Sequence, residues 1–207
     1  MPKTNTDVLS LLSGLPNTGK SSIYYEIIRL IENGQHDFTL KGYTFLQREK
    51  RNLNQQYSEL APVLAKLLND KHLHYLPDLV AVYEVDNTII AISTGGDSSS
   101  LVKRSLDKIN NILDDNNISL NYLFLSSHLL TRQISVRHII DGVNLSEVDT
   151  MDRIYAVNSK EQIYFQTAKQ NESFNIKKLN EQIASDLLDY VGLGSANRSI
   201  IPWRMQL

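Results

Sequence analysis

Gly14-Leu15-Pro16-Asn17-Thr18-Gly19-Lys20-Ser21 stands between an apolar run, Val8-Leu9-Ser10-Leu11-Leu12, and a helical pattern, Ser22-Ile23-Tyr24-Tyr25-Glu26-Ile27-Ile28-Arg29-Leu30-Ile31. The first run is short and almost continuously apolar, as a buried strand is, and the second repeats its apolar residues at helical spacing. Strand, glycine-bounded loop and helix in direct succession form the opening unit of an α/β domain with a parallel sheet.

The octapeptide fits G-x-x-x-x-G-K-[ST], and each constrained position has a chemical reason. Gly14 and Gly19 admit backbone angles closed to other residues, so that successive N–H groups turn inward as a cradle for phosphate oxygens. Leu15, Pro16, Asn17 and Thr18 complete the cradle between the glycines, and Ser22 adjoins it. The Lys20 ammonium is expected to bridge the β- and γ-phosphates and the Ser21 hydroxyl to ligate Mg²⁺. The start of the helix adds its partial positive charge.

On Gly14, Gly19, Lys20 and Ser21 the chain resembles the P-loop NTPase superfamily. The resemblance implies a three-layer α/β sandwich with a mostly parallel sheet, and ATP with Mg²⁺ at the loop. It does not select a reaction, because kinases, GTPases, motors and switches share the loop.

A chain of 207 residues can bury a sizeable core as one domain spanning 1–207. With no cysteine, a disulfide scaffold and a thiolate zinc site are excluded, and a reducing cytoplasm is the expected location. Lys+Arg 21 against Asp+Glu 23 gives a formal net charge of -2, which provides no global basic field to recruit nucleic acid or a membrane surface. No apolar segment approaches the roughly 18 residues of a membrane span.

Beyond the first helix, Glu32-Asn33-Gly34-Gln35 reads as a stop, with Gly34 suited to a left-handed C-cap. The stretch 37–42 is short and mixed. A helical insertion at about 45–74 follows, its stripe carried by Leu53, Tyr57, Leu60, Val63, Leu64 and Leu67 and bent or restarted at Pro62. Leu79-Val80-Ala81-Val82-Tyr83-Glu84-Val85 and Thr88-Ile89-Ile90-Ala91-Ile92-Ser93 flank the polar pair Asp86-Asn87 as a β-hairpin insertion. Asp86 reads as a turn former.

The second hairpin strand runs into Thr94-Gly95-Gly96-Asp97. An acid beyond the carboxyl end of an apolar strand suits the Mg²⁺ side of a phosphate site, so Asp97 is the candidate metal-side carboxylate. The competing reading has Asp97 or Ser98 capping the helix that begins near Ser99. That helix carries Leu101, Val102, Leu106, Ile109, Ile112 and Leu113 inward, and Asn121-Tyr122-Leu123-Phe124-Leu125-Ser126-Ser127 reads as the next buried strand.

Ligands of open α/β sheets bind at strand carboxyl ends, so the segment after Ser127 should approach the loop. Arg132 there is the candidate to neutralise transferring phosphoryl oxygens, with Arg137 second to it. His128 and His138 lack a third ligand at metal spacing. A second hairpin and a carboxy-terminal helix are expected over about 152–193, and Ile200, Ile201 and Trp203 suggest a tail packed on the body or on a partner.

No N-K-x-D tetrapeptide occurs, which argues against a guanine-specific switch. Two functions remain. The first is a small phosphotransferase resembling nucleoside or nucleotide kinases, in which Lys20, Asp97 and Arg132 act on the phosphoryl group and Arg48 or Arg51 meets a small anionic acceptor. The second is an ATP-hydrolysing or ATP-gated module acting on a protein partner.

Overall fold

The computed structural model describes residues 3–13, 20–34, 36–46, 62–72, 76–96, 98–127, 139, 141–145, 154–158, 176–190 and 192–193. The elements are β1 (Thr4–Thr6), β2 (Val8–Ser13), α1 (Lys20–Asn33), β3 (Phe38–Phe45), α2 (Pro62–Asp70), β4 (Leu79–Val85), β5 (Thr88–Ser93), α3 (Ser99–Asn116), β6 (Tyr122–Ser127), β7 (Val143–Leu145), β8 (Ile154–Asn158) and α4 (Ile176–Tyr190). Among the described residues no helix is long and apolar enough to cross a membrane.

A six-stranded sheet of order β3-β4-β5-β6-β2-β8 forms the middle layer. β5, β6, β2 and β8 are parallel neighbours, and β4 runs antiparallel to both β5 and β3. The fold is therefore mixed α/β with a mostly parallel sheet. Period-2 alternation divides β2, β4, β5 and β6 between two cores. Leu12, Ala81, Tyr83, Val85, Ile90, Ile92 and Phe124 face α1, α2 and α4, whereas Leu9, Leu11, Val80, Val82, Ala91, Leu123 and Leu125 face α3 and Ile139. The run Val8-Leu9-Ser10-Leu11-Leu12 is apolar nearly throughout because both faces of β2 are covered.

The expected hairpin is present as β4 and β5, with Asp86 and Asn87 at φ 46° and 66°. Two successive left-handed residues match the right-handed twist of the strands. Asp86 also takes the Asp37 amide on its carboxylate at 3.2 Å and pairs with His36, so it ties the turn to the start of β3. It lies at the opposite end of the hairpin from Thr94.

β3 corrects the reading of 37–42 as a short mixed stretch. The β4 register slips between Leu40 and Gly42, so a bulge at Lys41 reverses the side-chain phase halfway along the strand and hides its alternation. At Gly42 a Cβ would come within 2.9 Å of Ile112 Cγ2, so α3 packs directly on bare backbone there. Gly34 is a second correction. It does not adopt positive φ, and its need for glycine comes from the Leu30 carbonyl, 2.6 Å from where a Cβ would stand. Left-handed residues instead close α3 at Asn117 (φ 51°) and α4 at Gly192 (φ 80°). Each is closed by an amide returning to the last turn, Ile118 N to Leu113 O and Leu193 N to Leu188 O.

Of the helical insertion, α2 starts at Pro62, where a missing N–H costs nothing; residues 47–61 lie outside the described set. Its first turn is held by Glu32 at the end of α1. The buried carboxylate accepts from Val63 N at 2.7 Å and from Tyr83 Oη at 2.6 Å. The run read as the first half of a second hairpin is β8, whose described partner is β2 in parallel; residues 162–166 lie outside the described set.

Burial raises the Glu32 pKa above its ordinary 4.5, opposed by the hydrogen bonds from Tyr83, Val63 and Leu64. The native state then holds the Glu32 proton to higher pH than the unfolded chain does. Its contribution is fully present below 4.5 and is lost as pH rises through the raised value. Urea midpoints measured across that window should fall with rising pH in the wild type. In Glu32→Gln this component of the slope should vanish, whatever the constant offset between the two proteins.

Candidate functional site

The chain leaves β2 through α1 on one face, whereas α3 and Ile139, before and after β6, lie on the other. Connections that diverge from neighbouring strands open a crevice at their carboxyl ends, here between β2 and β6. α1 begins at Lys20, so its N-terminal N–H groups and partial positive charge stand at that crevice.

Tyr24 fixes how α1 meets the sheet. Its hydroxyl donates to Leu125 O at 2.5 Å and accepts from Leu12 N at 3.3 Å, joining β6 and β2 just below their carboxyl ends. Burial raises the phenol pKa far above its ordinary value, so the group stays neutral.

Lys20 is 5% exposed and Ser21 7%, and Ser22 is buried beside them. Burying a lysine is costly unless its charge is compensated. The Ser21 hydroxyl donates to Thr94 O at 3.4 Å, a long bond that a better acceptor or a cation can displace at small cost. The Thr94 carbonyl also accepts from Ser126 Oγ at 2.9 Å. The segment after β5 is thus held from α1 and β6 at once.

The same segment is tied to α3 and β4. Ser93 Oγ donates to Ser105 Oγ at 2.8 Å, and Ser105 Oγ lies 3.3 Å from Gly95 O. Thr94 N reaches Leu79 O at 3.0 Å, Leu79 N reaches Thr94 Oγ1 at 2.9 Å, and Thr94 Oγ1 donates to Asp78 Oδ1 at 3.3 Å. Asp78 is 7% exposed. Of the buried carboxylates Glu26, Glu32 and Asp78, Glu26 is spent on Arg29 and Glu32 on Tyr83 and Val63. Asp78 is the one bonded to the segment that Ser21 touches.

Of the residues expected at the site, the structure brings Lys20, Ser21 and Ser22 to the crevice and places Ser21 against the end of β5, the strand that leads to Asp97. Gly14, Leu15, Pro16, Asn17, Thr18, Gly19, Asp97 and Arg132 lie outside the described residues, as do Arg48, Arg51, His128, Arg137, His138, Ile200, Ile201 and Trp203. The capping role weighed for Asp97 or Ser98 belongs to Ser98, whose Oγ accepts from Leu101 N at 3.2 Å.

Asp78 escaped the sequence reading because it precedes a strand, whereas the acid was sought after one. The antiparallel course of β4 puts its first residues level with the last of β5, so the hairpin was the signal that could have found it.

The donor set suits a magnesium-bound polyphosphate. Mg²⁺ retains waters and takes only one or two protein ligands, and the Ser21 hydroxyl can supply one of them. Among the described residues no group of three or more His, Cys, Asp or Glu side chains could hold a metal ion by itself. Lys20 and the α1 terminus would hold phosphate oxygens and Ser21 the cation. No protein-family model matches the sequence, and neither a curated protein nor a solved structure matches the chain.

Proposed function

We propose that the chain is a P-loop protein that binds Mg-ATP at residues 14–22 and transfers the terminal phosphoryl group to a small acceptor, in the manner of nucleoside and nucleotide kinases. The observation that carries this reading is the enclosed Lys20-Ser21 pair, in the first turn of a helix that follows a central parallel strand, with Ser21 bonded to the end of β5. Bound ATP supplies an activated phosphoryl group. The chain's own work is positioning and charge: Lys20 and the α1 N-terminus neutralise phosphate oxygens, Ser21 fixes the cation, and Asp97 and Arg132 are proposed to complete the charge balance.

A second reading, an ATP-hydrolysing or ATP-gated module acting on a protein partner, draws on the hydroxyl relay. Ser21, Thr94, Ser126, Ser93 and Ser105 link the first turn of α1 to α3 on the opposite face, so a change at Ser21 has a route across the sheet.

Incubation with γ-labelled ATP, Mg²⁺ and a pool of nucleosides, nucleoside monophosphates and small metabolites tests both, with Lys20→Ala as background. Label is expected on an acceptor. Label appearing only as inorganic phosphate would replace the first reading with the second, and no turnover or retention above background would remove both.

A further inference from the structure

α2 has nine residues, fewer than the roughly 12 at which an isolated helix begins to hold in water, and it buries only Leu64 and Leu68. Its principal neighbour among the described elements is α1. Whether α2 is formed therefore rests on what α1 offers it.

Glu32, the penultimate residue of α1, makes the offer. One of its oxygens accepts from Val63 N at 2.7 Å in the first turn of α2, and the other from Tyr83 Oη at 2.6 Å. The carboxylate serves α2 as an N-cap does, although it belongs to another helix. At the carbonyl end of α1 it is disfavoured by its own helix and favoured by the amide end of α2. If α2 detaches, the last turn of α1 keeps a group that its own dipole disfavours and loses the amide that offsets it. Tyr25, in the second turn of α1, donates to Pro77 O, so α1 holds both the start of α2 and the approach to β4.

We propose that α2 opens and closes against α1 through Glu32, and that Mg-ATP at the first turn of α1 holds it closed. The inference rests on the Mg-ATP reading above. Phosphate and cation at Lys20 and Ser21 fix the seat of α1, and a fixed α1 presents Glu32 to Val63. By linkage, the closed state of α2 favours the nucleotide by the same factor.

Trypsin cleavage after Lys66 reads the opening. Lys66 is exposed on α2, and a protease cuts there only once the helix has come undone locally. Cleavage after Lys103, exposed on α3 across the sheet, is the reference for opening of the whole fold. In the wild type, saturating Mg-ATP should slow cleavage after Lys66, relative to Lys103, about fivefold or more, the lower end of ordinary coupling factors. Glu32→Gln keeps one acceptor oxygen where the carboxylate has two. In that variant cleavage without nucleotide should be faster, and its slowing by bound Mg-ATP should shrink to less than about twofold.

Mg-ATP that binds by calorimetry without slowing cleavage after Lys66 in the wild type would overturn the proposal while leaving nucleotide binding intact. That arm needs no variant, so it stands if Glu32→Gln fails to fold. Equal slowing in the wild type and Glu32→Gln would overturn the role of Glu32. If the wild type binds no Mg-ATP, or Lys20→Ala binds it equally well, the Mg-ATP reading itself falls and this inference with it.

Discussion

Lys20→Ala is expected to abolish useful Mg-ATP binding. Truncating one partner of a desolvated, hydrogen-bonded charge pair costs about 2–5 kcal/mol. At 1.4 kcal/mol per decade this is roughly 30- to 4000-fold in Kd. Lys20 is 5% exposed as a residue, so water screens the interaction less than it would at a surface pair. The effect is readable without an activity. A ligand at 100 times its Kd stabilises the native state by about 2.7 kcal/mol, so Mg-ATP should raise the melting temperature of the wild type. At the same ligand concentration the Lys20→Ala protein should gain at most about 0.9 kcal/mol, and so a far smaller rise in melting temperature. An equal shift in both proteins would place the nucleotide elsewhere.

Gly96→Ala is expected to be the most damaging single-methyl change among the described glycines of this edge. A Cβ at Gly96 would stand 1.9 Å from Ser126 O and 2.2 Å from Ser126 C, both backbone atoms of central strand β6. Neither can move without disturbing the strand that neighbours β2. At Gly95 the nearest obstacle is Leu46 Cδ1 at 2.7 Å, the end of a side chain that can rotate aside. Overpacking relieved by side-chain motion costs about 1–3 kcal/mol, and the rigid case belongs at or beyond the upper end. Urea denaturation should therefore rank Gly96→Ala well below Gly95→Ala in stability. Any folded Gly96→Ala protein should also bind Mg-ATP more weakly, because Thr94 O can no longer sit between Ser21 and Ser126. Equal midpoints for the two variants would contradict the close approach of this segment to β6.

What could be read in advance depended on whether a signal was local. The run Val8-Leu9-Ser10-Leu11-Leu12 and the periodicity of α1 and α3 each report their own burial, and Asp86-Asn87 between two β-rich runs reports its own turn. β3 was lost because the bulge at Lys41 breaks its alternation. β1 and β7, three residues each and paired with one another in parallel, are too short to show a period at all. Strand order was not legible. Alternation says that a strand is buried, not beside which neighbour, so nothing in Tyr122-Leu123-Phe124-Leu125 announced that β6 would lie between β2 and β5.

The site divided in the same way. Lys20 and Ser21 were legible because the loop pattern is contiguous in sequence. The contact of Ser21 with Thr94, and of Thr94 with Ser126 and Asp78, was not, because strand pairing alone brings these residues together, and Asp78 in particular depends on β4 running against its neighbours.

Hydrogen exchange of the wild-type protein, followed by calorimetric titration under the same conditions, bears on nucleotide binding at α1 without any variant. Saturable binding of one ATP per chain in the presence of Mg²⁺, with slowed exchange concentrated in peptides covering 13–24 and 93–97, is the outcome expected here. Absence of binding at millimolar Mg-ATP, or binding that leaves those peptides unchanged and protects others, would contradict it.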